Sequence, residues 1–175
     1  TEDGFHMATT PRELHERFLA LRSERKLRHR DAAAAIGVTE CESVAAAVGS
    51  EREFRAVRLR GPWSAVLERV PAVGVAMALT RNESAVHEKT GCYGGMSHQG
   101  LMGLAVGPEI DLRIFYGRWA HGYAVDEDTP NGRQRSLQFY DASGVAVHKV
   151  FARPATDLSA WDELVGSSAH EDQSC

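Results

Sequence analysis

The chain is short of every feature that would mark a stapled, membrane-spanning or strongly charged protein. Among 175 residues there are three cysteines, Cys41, Cys92 and Cys175, and no two of them form a C-x-x-C. That spacing excludes a disulfide framework and a thiolate zinc site, and it suits a reducing compartment with free buried thiols. No apolar run approaches the roughly 18–20 residues of a spanning helix. No basic block stands out: 20 Lys and Arg against 24 Asp and Glu give a net charge of −4. That balance argues against electrostatic capture of nucleic acid or of an anionic membrane. The N-terminus has no basic stretch followed by an apolar core, so no secretory signal is read there. Its opening "TEDGFHM" reads as a cloning remnant over residues 1–6, with the native chain expected from Met7. G-x-S-x-G, Walker A, H-E-x-x-H and a G-x-G-x-x-G after a strand are all missing, so nucleophilic, phosphate-binding and His-rich zinc chemistry have no foothold.

What remains is the composition of an ordinary globular domain, 43% apolar and 25% charged, long enough for one real core. Thr10 and Glu13 form a capping box around Pro11, and Leu14, Phe18 and Leu21 recur at helical spacing. "DAAAAIG" follows and stops at Gly37; "TECESVAAAVG" repeats the capping box with Thr39 and Glu42. From Phe54 the texture changes. "FRAVRLR", "VGVAMAL", "GLMGLAVG", "IDLRIFYG", "HGYAVDE" and "SLQFYD" read as strands, with a short helix "PWSAVLERV" between the first two. "QFYDASGVAVHKVF" is a hairpin turning at Asp141–Gly144. A helix from Asp157 closes the pattern, and residues 167–175 are expected to be a disordered tail or linker. Helices, then strands, then a helix predict one α+β domain over 7–166, with N-terminal helices, a mainly antiparallel β-sheet and a C-terminal helix.

Three places could carry chemistry. The helix–Gly–helix around "IGVTE" has the layout of a DNA-binding motif, but its second helix offers Glu40 and Glu42 and no cation, so a duplex would repel it. In "DLRIF", strand alternation puts Asp111, Arg113 and Phe115 on one face and Leu112 and Ile114 on the other. A guanidinium beside an aromatic ring on an open face suits a large planar anion; the bland alternative is a surface pair. In "TRNESAVHEKTG", His87 at the end of a strand could ligate a metal, with Arg81 and Lys89 as cationic neighbours; a simply hydrogen-bonded histidine is the alternative. His98, His121 and His148 are isolated histidines of the same kind.

Several of these blocks together resemble the haemin-degrading and haemin-transport family of bacterial haem uptake, of HemS/ChuX type. They are "ELHERFLALRSERKLRHRDAAAAIGVTE", "ALTRNESAVHEKTG", "GLAVGPEIDLRIF", "RWAHGYAV" and "RSLQFYDASGVAVHKVF", in order from Glu13 to Leu164. The resemblance is to the first of two tandem halves. It implies a cytoplasmic haem-binding protein that serves iron acquisition and receives haem transiently from an inner-membrane importer, with a second half-domain or a homodimer partner completing the cleft. Some members are reported to open the porphyrin ring, so a haem-degrading enzyme using an external reductant is the alternative; a DNA-binding regulator or a ligand-free interaction module ranks below both. Carried over by position, Arg113 lies distal to the iron, Phe115 lies against the ring, and His87 is a further candidate iron ligand; Arg81 or Lys89 of the same charged run is available for the propionates. The family's proximal histidine sits in the second half; counted from Trp63, the corresponding place here is Val70, which cannot ligate iron.

Overall fold

The computed structural model describes residues 9–81 and 85–175; the residues read as a cloning remnant lie outside them. Helix α1 spans Pro11–Arg25, and its capping box is formed as the sequence predicts: Glu13 N donates to Thr10 Oγ1 at 3.2 Å and Thr10 N to Glu13 Oε2 at 2.9 Å. Helices α2 (His29–Ala35) and α3 (Glu40–Ala45) follow, the latter with its own box between Thr39 and Glu42. Then come β1 (Phe54–Arg58), α4 (Trp63–Leu67) with a 3₁₀ turn Val70–Val73, β2 (Gly74–Arg81), β3 (Val86–Cys92), β4 (Gly95–Gln99), β5 (Met102–Val106) and β6 (Asp111–Phe115). A 3₁₀ turn Tyr116–Arg118 leads into β7 (Trp119–Thr129), β8 (Gly132–Asp141), β9 (Ala146–Thr156) and α5 (Leu158–Ser168).

The strands form two antiparallel sheets: six strands in the order β1-β7-β8-β9-β2-β3, and three in the order β4-β5-β6. The molecule is α+β, as expected. One side of the large sheet is covered by α1–α3, whose Phe18, Leu19 and Val44 pack with Phe54, Tyr123 and Tyr140. On the other side, α4, α5 and the small sheet enclose Leu67, Val70, Tyr93, Ile110, Phe139 and Trp161. Val70 is fully buried in that core, so its side chain serves packing.

The acidic charge of α3 has a structural use. Glu40 pairs with Lys149 of β9, and both side chains are nearly buried. Burial alone would raise the Glu40 carboxyl, but the Lys149 ammonium holds it below its usual range. Burial pushes His29 down to about 3, so its 3.4 Å contact with Glu40 is made by a neutral ring. The β8–β9 turn closes against the same helix: Gly144 has φ +85°, and a Cβ there would lie 2.5 Å from Thr39 Oγ1, so both the turn and the close approach require glycine.

The structure departs from the sequence reading in three further ways. "TRNESAVHEKTG" does not finish one strand; the chain doubles back, so Arg81 ends β2 and His87 stands on the edge strand β3, opposite Thr80. Asn82, Glu83 and Ser84 lie outside the described residues. The expected disordered tail is tied down: Arg58 N donates to Gln173 Oε1 at 2.9 Å, His170 N to Arg58 O at 2.8 Å, and the Arg58 guanidinium to the carbonyls of Asp172 and Ser174. The open backbone of edge strand β1 supplies partners that composition could not reveal. Of the thiols, Cys41 is buried, and Cys92 and Cys175 are exposed.

Candidate functional site

The small sheet stands off the large one, and the gap between them is a cleft of about 840 Å³, within the usual size range of small-molecule sites. One wall is β6 with the turn after it, contributing Arg113, Phe115, Arg118 and Trp119; the other is formed by Thr80 and Arg81 at the end of β2, the β8–β9 turn and His148. Alternation along β6 is as the sequence predicts: Arg113 and Phe115 are exposed and Ile114 is buried against the core. Phe115 is 63% exposed and Val145, on the opposite wall, 51%. These are large apolar side chains left open at a concave surface.

Behind the open face lies a rigid aromatic floor. The Trp119 ring stacks on Phe139 at 4.6 Å and on His148 at 5.6 Å, and meets Tyr116 edge-on at 5.1 Å. His148 is buried, with both ring nitrogens occupied: Nδ1 is 3.1 Å from Thr80 Oγ1 and Nε2 is 2.7 Å from Tyr93 Oη. Burial drives its pKa down to about 4, so the ring is neutral at pH 7. A β-bulge makes this arrangement. Phe139 pairs with His148 but Tyr140 pairs with Ala146, leaving Val147 as the extra residue. Consequently Ala146 joins the core under α1–α3 while His148 joins the aromatic floor.

The cleft is cationic. Arg81, Arg113 and Arg118 line it against one carboxylate, Asp141. Arg113 and Arg118 make no hydrogen bond or ion pair with any other described residue, and the Nε of half-buried Arg81 has no partner. Asp141 is occupied by its own turn: Oδ1 accepts from Ser143 N at 2.9 Å, Ser143 Oγ at 2.6 Å and Val145 N at 3.1 Å. Burial would raise this carboxyl, but those hydrogen bonds, with Arg118 nearby, leave it below its ordinary value.

The structure therefore brings together Arg113, Phe115 and Arg81 of the predicted residues. His87 and Lys89 are exposed on β3 and are not among the residues lining the cleft. Cross-strand partners share a face, so His87 points to the same side as the cleft-lining Thr80. Sequence reasoning missed Arg118, Trp119 and the β8–β9 turn. The one available signal was "GRW", a cation and a large aromatic directly after the strand already singled out. Among the described residues no group of His, Cys, Asp and Glu could hold a metal ion by itself, and no helix is long and apolar enough to cross a membrane.

A family model described as a haemin-degrading HemS.ChuX domain matches residues 37–167. The hemin transport protein HmuS of Yersinia pestis is 36% identical over 154 residues, covering 87% of this chain and 44% of HmuS. The chain thus spans about half the length of the curated relatives it matches. Among solved structures, holo-PhuS, a heme-binding protein from Pseudomonas aeruginosa, superposes with a TM-score of 0.86 at 47% identity, over 94% of this chain and 47% of PhuS. The heme degrading enzyme ChuS of Escherichia coli O157:H7 gives a TM-score of 0.85 at 31% identity, over 95% and 49% of the two chains.

Proposed function

Because the chain belongs to the haemin-degrading HemS/ChuX family, we propose that it binds haem in the cleft between its two sheets and carries it in cytoplasmic haem trafficking for bacterial iron acquisition. The observation that supports this most directly is Arg113 and Phe115 side by side on the cleft wall, both open to it. A flat macrocycle laid on Phe115 and the Trp119 floor gains roughly 25 cal/mol for each Å² of apolar surface removed from water. Arg113 then faces the iron side of the ring, and Arg81 on the opposite wall is placed for a propionate. His87, on the cleft side of the neighbouring strand, is this chain's candidate iron ligand; Lys89 is assigned no direct contact. Phe115 and Val145 remain open in the isolated chain, which supports a cleft completed by a second half-domain or a homodimer partner, with an inner-membrane importer engaged transiently.

Likeness to an enzyme named for haem degradation favours one second reading, oxidation of bound haem by dioxygen with electrons from an external reductant. Haemin titration in air, with and without an electron donor, separates the two. A saturable Soret band that persists with reductant is the expected result for a carrier. Decay of the band to a bile-pigment-like product would make the chain an enzyme, and no saturable band would leave an interaction module. In the same titration, His87→Ala removes the axial-nitrogen signature; an unchanged spectrum would place the ligand elsewhere.

A further inference from the structure

We propose that a second, smaller pocket, at the seam between β1, β7 and the C-terminal segment, binds a phosphate group, with Arg60, His121 and His170 as the residues that hold it. The inference is independent of the haem-binding reading.

Three segments far apart in the chain build this pocket. Residues 58–60 run between β7 and the C-terminal segment: Leu59 N donates to Gly122 O at 2.9 Å, Arg60 N to Ser168 O at 2.9 Å and His170 N to Arg58 O at 2.8 Å. These bonds gather Arg58, Arg60, His121 and His170 around one cavity, with Leu59 and Trp63 as its apolar wall. The Trp63 ring is held in place, its Nε1 donating to Trp119 O at 3.1 Å. A β-bulge separates this pocket from the cleft. Trp119 pairs with Asp141 but His121 with Tyr140, leaving Ala120 as the extra residue, so Trp119 lines the cleft and His121 the pocket. At about 280 Å³ against 840 Å³ for the cleft, the pocket has no room for a macrocycle.

None of the described residues lining the pocket is acidic, and its cations and imidazoles keep donors to spare. His121 makes no hydrogen bond or ion pair with another described residue. The Arg60 guanidinium has one long contact, Nη2 to Ser167 O at 3.4 Å. His170 Nδ1 accepts from Asp172 N at 2.9 Å, so the neutral ring carries its hydrogen on Nε2, where it is free to donate. Arg58 is anchored instead, donating to the carbonyls of Asp172 and Ser174, and supplies fixed positive charge. The Asp172 carboxylate stands 3.7 Å from it, with Oδ1 taken by Ser174 N and Oγ. A phosphate group brings three strong acceptor oxygens and close to two negative charges. The three unengaged donor groups, one from each segment, match it; a flat carboxylate offers two oxygens. Two imidazoles with no third ligand among the described residues do not hold a metal ion, and guanidinium neighbours would repel one. Leu59 and Trp63 give the carbon part of a small phosphate ester a surface to lie on. The ligand is therefore a phosphate group, free or carried by a small molecule.

The test is calorimetric titration of the chain with inorganic phosphate, glycerol 3-phosphate and acetate, repeated on Arg60→Ala, Arg60→Lys and His121→Ala. The expected result is one saturable site for phosphate or its ester, with acetate bound at least about tenfold more weakly. Arg60→Ala and His121→Ala should each weaken phosphate binding about tenfold, the loss of one hydrogen bond to a charged group. Arg60→Lys, which keeps the charge but not the fork, should fall between parent and alanine variant. Tighter binding of the inorganic ion identifies the free anion as the ligand; tighter binding of the ester identifies a phosphorylated small molecule. Because Arg60 and His121 are exposed, the variants are expected to keep the circular dichroism spectrum of the parent. Absence of a saturable site for both phosphates overturns the inference, as does acetate binding equally tightly. Alanine variants that both titrate like the parent overturn it too, since the anion would then sit elsewhere. Haemin takes no part in these titrations, so their failure leaves the haem-binding reading untouched.

Discussion

Arg113 shows how far one residue can be argued from sequence. Period-two alternation in "DLRIF" puts it beside Phe115 and opposite Ile114, and β6 has that burial pattern. Because Arg113 is exposed and makes no hydrogen bond or ion pair with another described residue, removing it costs the fold little. Arg113→Ala is expected to alter the absorption spectrum of the haemin complex while leaving the melting temperature within about 2 °C of the parent chain. An unchanged spectrum would count against the cleft as the haem site. His87 illustrates the converse. The sequence sets it beside Arg81 in one charged run, but the hairpin reversal places the two on different strands, and only Arg81 reaches the cleft lining.

At the scale of elements, the structure shows what the acidic charge on α3 does. Glu40 and Lys149 tie the helical layer to β9, with His29 and Arg81 nearby in the same field. Two charges this buried stabilise only as a pair, and removing one leaves the other uncompensated. Lys149→Ala is expected to lower stability by about 3 kcal/mol, whereas Thr39→Ala, which deletes the α3 cap, costs about 1 kcal/mol. Urea denaturation of both variants checks the order; a smaller loss for Lys149→Ala would show that Glu40 finds solvent. The hairpin, the caps and most strands were legible because each depends on neighbours in sequence. The strand status of β4 and the pairing of residues 169–175 with Arg58 and Leu59 were not, since both depend on backbone partners distant along the chain.

For the whole molecule, imidazoles held neutral by burial set the response to acid: His15 is lowered by it, and His29 and His148 are lowered furthest. The folded-state pKa values of His29 and His148 fall to about 3 and about 4 from the ordinary 6.5. Below pH 6.5 the unfolded chain therefore takes up protons that the folded chain refuses. Stability is greatest above 6.5 and declines as the pH falls, until His148 titrates near 4 and His29 near 3. Each imidazole contributes up to about 1.4 kcal/mol per pH unit inside its window. The urea midpoint is expected to drop markedly between pH 7.5 and pH 5, and His148→Gln should reduce the slope; a midpoint independent of pH would mean that these rings are not held neutral. By itself the sequence determined the α+β class, the caps, the strand faces and the cation–aromatic pair of β6, because local stereochemistry and period alone decide them. Only the tertiary structure decided that two sheets part to form a cleft, that a bulge at Val147 turns His148 into its floor, and that Arg81 and Arg118, from separate segments, both line it. Those arrangements are fixed by contacts between segments far apart in the chain, where no local pattern records which partner a side chain will meet.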